Sequence, residues 1–246
     1  MNILIVDNFD SFTNNISQYV YEACGFVPEV VPNTAQESSL NLTKYDAVIL
    51  SPGPGHPCKE ADFGVCRYIL TQGMQPILGV CLGHQGINHF YGGVVEHAPR
   101  PVHGYRAKIQ HCGRGLFAGV PQDFEVVRYH SLICTSVPDC LEITARTEDR
   151  LVMALAHRER PVYGVQFHPE SIDSEHGHLI ILNFIRLAQK KKEITLQDCA
   201  LKKGVVGYRW TSDGKVQIYS FGATLQSRKD IHASVCGVFL CLLAGQ

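Results

Sequence analysis

The sequence of 246 residues carries ten cysteines but no C-x-x-C pair, no basic leader before its first apolar run, and almost no net charge (−1). Without metal or redox spacing, and in a chain this long, the cysteines do not read as a disulfide scaffold. Reduced thiols are expected instead, which places the protein in the cytoplasm. The near-neutral balance removes the electrostatic case for nucleic acid or an anionic membrane surface as a partner. Asp7 interrupts the opening apolar run, so the N-terminus reads as a strand and not as a secretory signal. Val235 to Ala244, the longest late apolar run, is about half of what a membrane span needs. The glycine-rich stretch SPGPGHP (51–57) is not followed by the Gly-Lys-Ser/Thr of a phosphate loop.

What remains is an ordinary globular composition, 45% hydrophobic and 18% charged, long enough for one α/β domain with an appendage. NILIV (2–6), FVPEVV, DAVILS (46–51) and PILGV (76–80) read as strands. Helical spacing intervenes after Asp10 or Ser11 as cap, with Ile16, Tyr19, Val20 and Ala23 as its inner stripe, and again over Ala61 to Thr71. This alternation argues for an open, mostly parallel sheet flanked by helices, with chemistry at the carboxyl ends of its strands. Asp7, the PGPG loop and Cys81 all fall at that edge. YRAKI, FEVVRYH, LEITAR, LVMALAH and VYGVQF supply further strands, and a helix is expected from about Glu175 to Gln189, ended by Lys190–Lys192. Beyond it, VVGYRWTSDGKVQIYSF resembles a hairpin turning through Asp213-Gly214. The expected division is a domain over 1–192 and a tail over 193–246, the tail being a hairpin or the truncated start of a fused domain.

Cys81 lies between two glycines in GVCLG (79–83), where a strand gives way to a helix. A buried cysteine is ordinarily a small core residue. The Gly-x-Cys-x-Gly form on a strand-turn-helix is also that of a nucleophile elbow, whose helix N-terminus favours a thiolate. The N–H of Leu82 then lies where an oxyanion would form. A thiol nucleophile needs a base, and in VQFHPES (165–171) Pro169 biases His168 to extended backbone. His168 and Glu170, two apart, then project to one side, as a base and its orienting carboxylate do. The PGPG loop reads either as a plain turn or as close-approaching backbone that completes the oxyanion hole.

DNFDSFTNN, SPGPGHP, GVCLGHQ, RYHSL and QFHPES, in this order, resemble the class I glutamine amidotransferases from Met1 to about Lys192. The opening DNFDSFT is most similar to the glutaminase components of anthranilate synthase and aminodeoxychorismate synthase. The resemblance implies a flavodoxin-like glutaminase domain with Cys81 as nucleophile on L-glutamine, His168 as base and Glu170 as its orienter. It implies substrate and oxyanion contacts from Gly53, Pro54, Gly55, Leu82, Gln85, Ser131 and Leu132. His130 reads as structural, and His103 receives no chemistry. No cofactor or metal is implied in this chain. Ammonia would pass to a chorismate-binding synthase, a partner expected to need Mg2+. Whether the tail binds that partner, is vestigial or is mis-spliced stays open. Two other functions compete: a γ-glutamyl hydrolase on the same cysteine elbow, and a weakly catalytic regulator of the synthase.

Overall fold

The computed structural model describes residues 1–98, 104–202, 207–210 and 216–219. Two compact units divide the chain, Met1–Lys191 and Lys192–Gln246. The elements run β1 (Ile3–Asp7), α1 (Thr13–Cys24), β2 (Glu29–Pro32), β3 (Ala47–Leu50), α2 (Glu60–Phe63), α3 (Cys66–Gln72), β4 (Ile77–Val80) and α4 (Leu82–Phe90). There follow β5 (Val94–His97), β6 (Tyr105–His111), β7 (Phe124–Arg128), β8 (Leu132–Ser136), β9 (Leu141–Thr147), β10 (Val152–His157), β11 (Val162–Val165) and α5 (Gly177–Lys202). β12 (Gly207–Trp210) and β13 (Val216–Tyr219) close the series as an antiparallel pair. Its connecting residues, like His103 and the apolar C-terminal run, lie outside the described residues.

The main sheet has nine strands in the order β2-β1-β3-β4-β11-β10-β9-β6-β7. β2, β1, β3, β4 and β11 run parallel, and the remaining four extend the sheet antiparallel. This is the expected α/β architecture, with the parallel strands carrying the edge of interest. β5 and β8 pair apart from it as a small ribbon, which the sequence did not single out because LICTS is short and follows RYHSL without a turn signal.

β1, β3 and β4 are buried along nearly their whole length, as near-continuous apolar runs in a covered parallel sheet must be. Alternate side chains feed two cores. Ile3, Ile5, Ile49, Leu78 and Val80 pack with Ile16 and Val20 of α1 and Ile181 and Phe184 of α5. Leu4, Val6, Val48, Leu50 and Ile77 pack with Ile69 and Leu70 of α3 and Leu82 and Ile87 of α4. Each such side chain contributes about 1.5–3 kcal/mol. Exposed pairs such as Lys44–Glu29 are screened by solvent and add little, so the two cores and not the surface charges hold the sheet in place. No helix among the described residues is long and apolar enough to cross a membrane.

Three local expectations are corrected. Neither Asp10 nor Ser11 caps α1: the cap position is Phe12, while the Asp10 carboxylate accepts from the Phe12 N–H at 2.8 Å. Asp7 instead ties the turn, accepting from Phe9 N, Asp10 N and Thr13 Oγ1. The helix expected over 61–71 is broken into α2 and α3 at Gly64, whose φ of 42° is left-handed. There Val65 N–H donates to the Asn33 carbonyl at 2.8 Å, and a β-carbon on Gly64 would lie 2.1 Å from that oxygen. The lysine run does not end the last helix, since α5 continues to Lys202. Lysine is a good helix former, so losing the apolar stripe there costs packing without breaking the backbone pattern.

Candidate active site

β1, β3, β4 and β11 are neighbours in the sheet and end on the same side, so the residues just after them share one edge. Cys81 follows β4 directly and is the cap residue of α4, with φ 51° and ψ −99°. A non-glycine residue held there stores strain, on the order of 1–3 kcal/mol. The position is fixed by two backbone bonds: Cys81 N–H to Val165 O at 2.9 Å, and Gln85 N–H to Cys81 O at 3.0 Å. The flanking glycines allow the close approach. A β-carbon on Gly79 would lie 2.4 Å from the Gly83 carbonyl carbon, and one on Gly83 would lie 2.3 Å from Leu50 O.

His168 stands three residues beyond β11 and is 3% exposed. Its Nδ1 donates to Glu170 Oε1 at 2.7 Å, inside a site where Glu170 is 1% exposed. The Cys81 thiol lies close enough to the ring to raise its pKa. Burial alone would pull the ring's pKa down. The hydrogen bonds and negative charges of Cys81 and Glu170 outweigh it and hold the pKa well above the ordinary imidazole value. Two aromatic rings, neither assigned a role from the sequence, confine the imidazole. Phe12 and Tyr129 meet its edge at centroid distances of 5.7 and 5.5 Å and stack on each other at 5.9 Å. Asp10 brings a second carboxylate near the ring, with atoms of Asp10, His168 and Glu170 all within 4.8 Å of one another.

The PGPG loop is seated against the elbow. A β-carbon on Gly53 would lie 2.5 Å from Asn8 Cβ and 3.0 Å from Leu82 Cδ2, so this backbone packs directly against Asn8 and Leu82. Gly55, at φ 95°, packs on Asp62, whose carboxylate accepts from the His56 N–H at 2.9 Å. Pro54 is exposed at the loop's tip. Asn8 anchors the start of the loop, bonding Ser51 Oγ through its own N–H and Ser51 O through Nδ2, each at 2.8 Å. Sequence reasoning missed Asn8. Its partner lies 43 residues away, and no periodicity marks such a contact.

The RYHSL segment reaches the site from the antiparallel side. Ser131 O accepts from Ala98 N–H at 2.7 Å, and Leu132 O accepts from both Gln85 Nε2 at 3.1 Å and His130 Nδ1 at 2.9 Å. His130 in turn accepts through Nε2 from Arg128 Nε at 3.2 Å, which fixes it as a neutral, positioning ring. Burial, and then the Arg128 charge, lower its pKa to about 4. Burial likewise lowers His84 to about 3, where its Nε2 lies 3.4 Å from Cys134 Sγ.

Both histidines ionise near 6.5 when unfolded and far lower when folded, so on acidification the unfolded chain binds their protons first. Stability is therefore expected to fall as pH drops from about 6.5 towards about 4. His130→Asn is expected to flatten that slope. A urea midpoint that holds level across this range in the wild-type chain would contradict the neutral assignment.

Residues 4–188 match the family model described as glutamine amidotransferase class-I. The chain is 50% identical over 192 residues to aminodeoxychorismate synthase of Streptomyces griseus, covering 77% of this chain but 26% of that protein. It is 45% identical over 194 residues to anthranilate synthase component 2 of Methanothermobacter thermautotrophicus, covering 75% of this chain and 98% of the relative. Thus the chain spans about a quarter of the first relative's length and nearly all of the second's. Its fold is similar to a crystal structure from Thermoplasma acidophilum assigned to GMP synthase, with TM-score 0.73 and 29% identity, covering 80% of this chain and 98% of that one.

Proposed function

The chain belongs to the class-I glutamine amidotransferase family, and from that premise we propose that it hydrolyses L-glutamine at Cys81 and delivers the ammonia to a chorismate-aminating synthase. The observation that carries this reading is the meeting of the strained Cys81 and the buried His168–Glu170 pair at one sheet edge. In this mechanism the Cys81 sulfur attacks the side-chain amide carbon, with the negative oxygen received by the N–H groups of Leu82, Gly53 and Gly55, while Pro54, which has no N–H, stiffens the loop beside the substrate. His168 takes the thiol proton and hands it to the departing nitrogen, so the C–N bond breaks, ammonia leaves and a γ-glutamyl thioester remains. Water, giving its proton to the same ring, hydrolyses the thioester to glutamate and restores the thiol. Glu170 holds the ring in the tautomer that faces sulfur and stabilises its charge.

Ser131, Leu132 and Gln85 form the substrate wall. The two N–H groups of Gln85 are already committed to Leu132 and Gln166, which leaves its carbonyl oxygen for the substrate. These steps require no cofactor from this chain, and Mg2+ is assigned to the synthase. A cytoplasmic setting is part of this reading, on the cysteine usage of the sequence. Residues 193–246 are proposed as a tail distinct from the glutaminase domain that carries the β12–β13 pair.

The test is reconstitution with chorismate-using synthases, scoring anthranilate against aminodeoxychorismate with glutamine or ammonia as nitrogen source. Glu170→Gln is expected to lower the glutamine-driven rate on the order of 10²-fold and leave the ammonia-driven rate intact. Equal glutamine-driven rates in the two proteins would remove Glu170 from the mechanism.

A further inference from the structure

Gln166 lies two residues before His168, is fully buried, and is anchored by its own N–H to Met153 O at 2.9 Å. Its side chain spans two features of the site. Oε1 accepts from Gln85 Nε2 at 3.1 Å, and Nε2 points at Cys81 Sγ at 3.7 Å, within the longer reach of a sulfur acceptor. Neither the triad nor the oxyanion loop accounts for this residue.

Which end of the carboxamide faces sulfur decides its chemistry, and the neighbouring groups fix that end. A backbone carbonyl only accepts, so the atom of Gln85 beside Leu132 O must be its nitrogen. That same nitrogen lies beside Gln166, whose facing atom must therefore be the oxygen. Reversing Gln85 would set carbonyl oxygens against each other, and reversing Gln166 would set two NH2 groups against each other, leaving buried polar groups unpaired in a dry site. The N–H end of Gln166 is thus delivered to the nucleophile by a chain that starts at the Leu132 backbone. A donor in that place favours sulfur in its anionic form, because hydrogen bonds to ions exceed those to neutral groups.

We propose that Gln166 is a catalytic residue of the glutaminase: its side-chain N–H holds the Cys81 thiolate ready for attack, its orientation set by Gln85. The contact is strongest before the C–S bond forms and weakens once the sulfur is acylated, so its effect falls on thioester formation. The role rests on the glutaminase reading, but the contact itself can be measured without turnover.

The experiment is site-resolved alkylation of Cys81 by iodoacetamide across pH, in the full chain, for wild type, Gln166→Met and Gln166→Asn. Methionine keeps the volume and removes the donor; asparagine keeps an amide but withdraws it by one methylene. Both are expected to slow alkylation near neutral pH by about tenfold and move the profile to higher pH by roughly one unit. Glutamate release falls with them. Profiles that coincide with wild type in both variants would overturn the proposal. A wild-type chain that releases no glutamate overturns the glutaminase reading by itself, and the alkylation shift then still upholds the Gln166–thiolate contact.

Discussion

Glutamate release from the Cys81→Ala chain is expected to fall by about 10³-fold or more, to the level of uncatalysed hydrolysis. No other cysteine among the described residues is placed to substitute. Burial pushes the thiols of Cys66 and Cys134 far up, the opposite of what a nucleophile needs. The loss should not be a folding defect, because alanine keeps the β-carbon and leaves the backbone strain of φ 51° unrelieved. Cys81→Gly separates the two effects. It is equally inactive, yet the strained turn suits glycine, so it should be about 1 kcal/mol more stable than the alanine variant. Parallel denaturant titrations and glutamate assays of the two variants check this. An active Cys81→Ala chain would move the chemistry elsewhere, and a glycine variant less stable than the alanine one would remove the strain.

The second large effect concerns the glycine that lets the elbow exist. Gly83→Ala places a methyl 2.3 Å from Leu50 O and 2.9 Å from Leu50 Cβ, contacts on the central strand that cannot turn away. α4 must lift from β3, at a cost of about 3 kcal/mol or more at the upper end of overpacked sites. A lift of about 1 Å also displaces the Leu82 N–H, and misplacement on that scale can cost about 10²-fold in rate. Gly92→Ala is the control. Gly92 sits at φ 96° with nothing within 4 Å of a β-carbon, so only the backbone conformation is penalised, about 1 kcal/mol. Thermal unfolding of both variants distinguishes crowding from strain. If Gly83→Ala were no more costly than Gly92→Ala, the close approach of α4 to the sheet would not be what shapes the elbow.

These two positions also mark how much the sequence discloses. Gly79, Cys81 and Gly83 were legible because a short apolar strand, a tight turn and a helix follow each other within a short span. His168 and Glu170 were legible for the same local reason, since Pro169 enforces an extended step that aims both side chains one way. The shared edge followed from the strand-helix alternation, which implies parallel strands, and the strands that feed it are parallel. The supports were not legible. Gln166 gains its meaning from Gln85, 81 residues earlier, and Asn8 from Ser51, 43 residues later. Such contacts leave no period and no motif, only a polar residue where an apolar one would otherwise pack. The break between α2 and α3 was hidden likewise, because Gly64 reads as a tolerated helix glycine until Asn33 is brought against it.

The most direct measurement is mass spectrometry of the full chain mixed with glutamine and quenched in acid within one turnover. A thioester mechanism predicts a γ-glutamyl adduct on the peptide that carries Cys81, lost on treatment with hydroxylamine and absent from Cys81→Ala. Sustained glutamate release with no adduct on that peptide, or an adduct on a different residue, would contradict it.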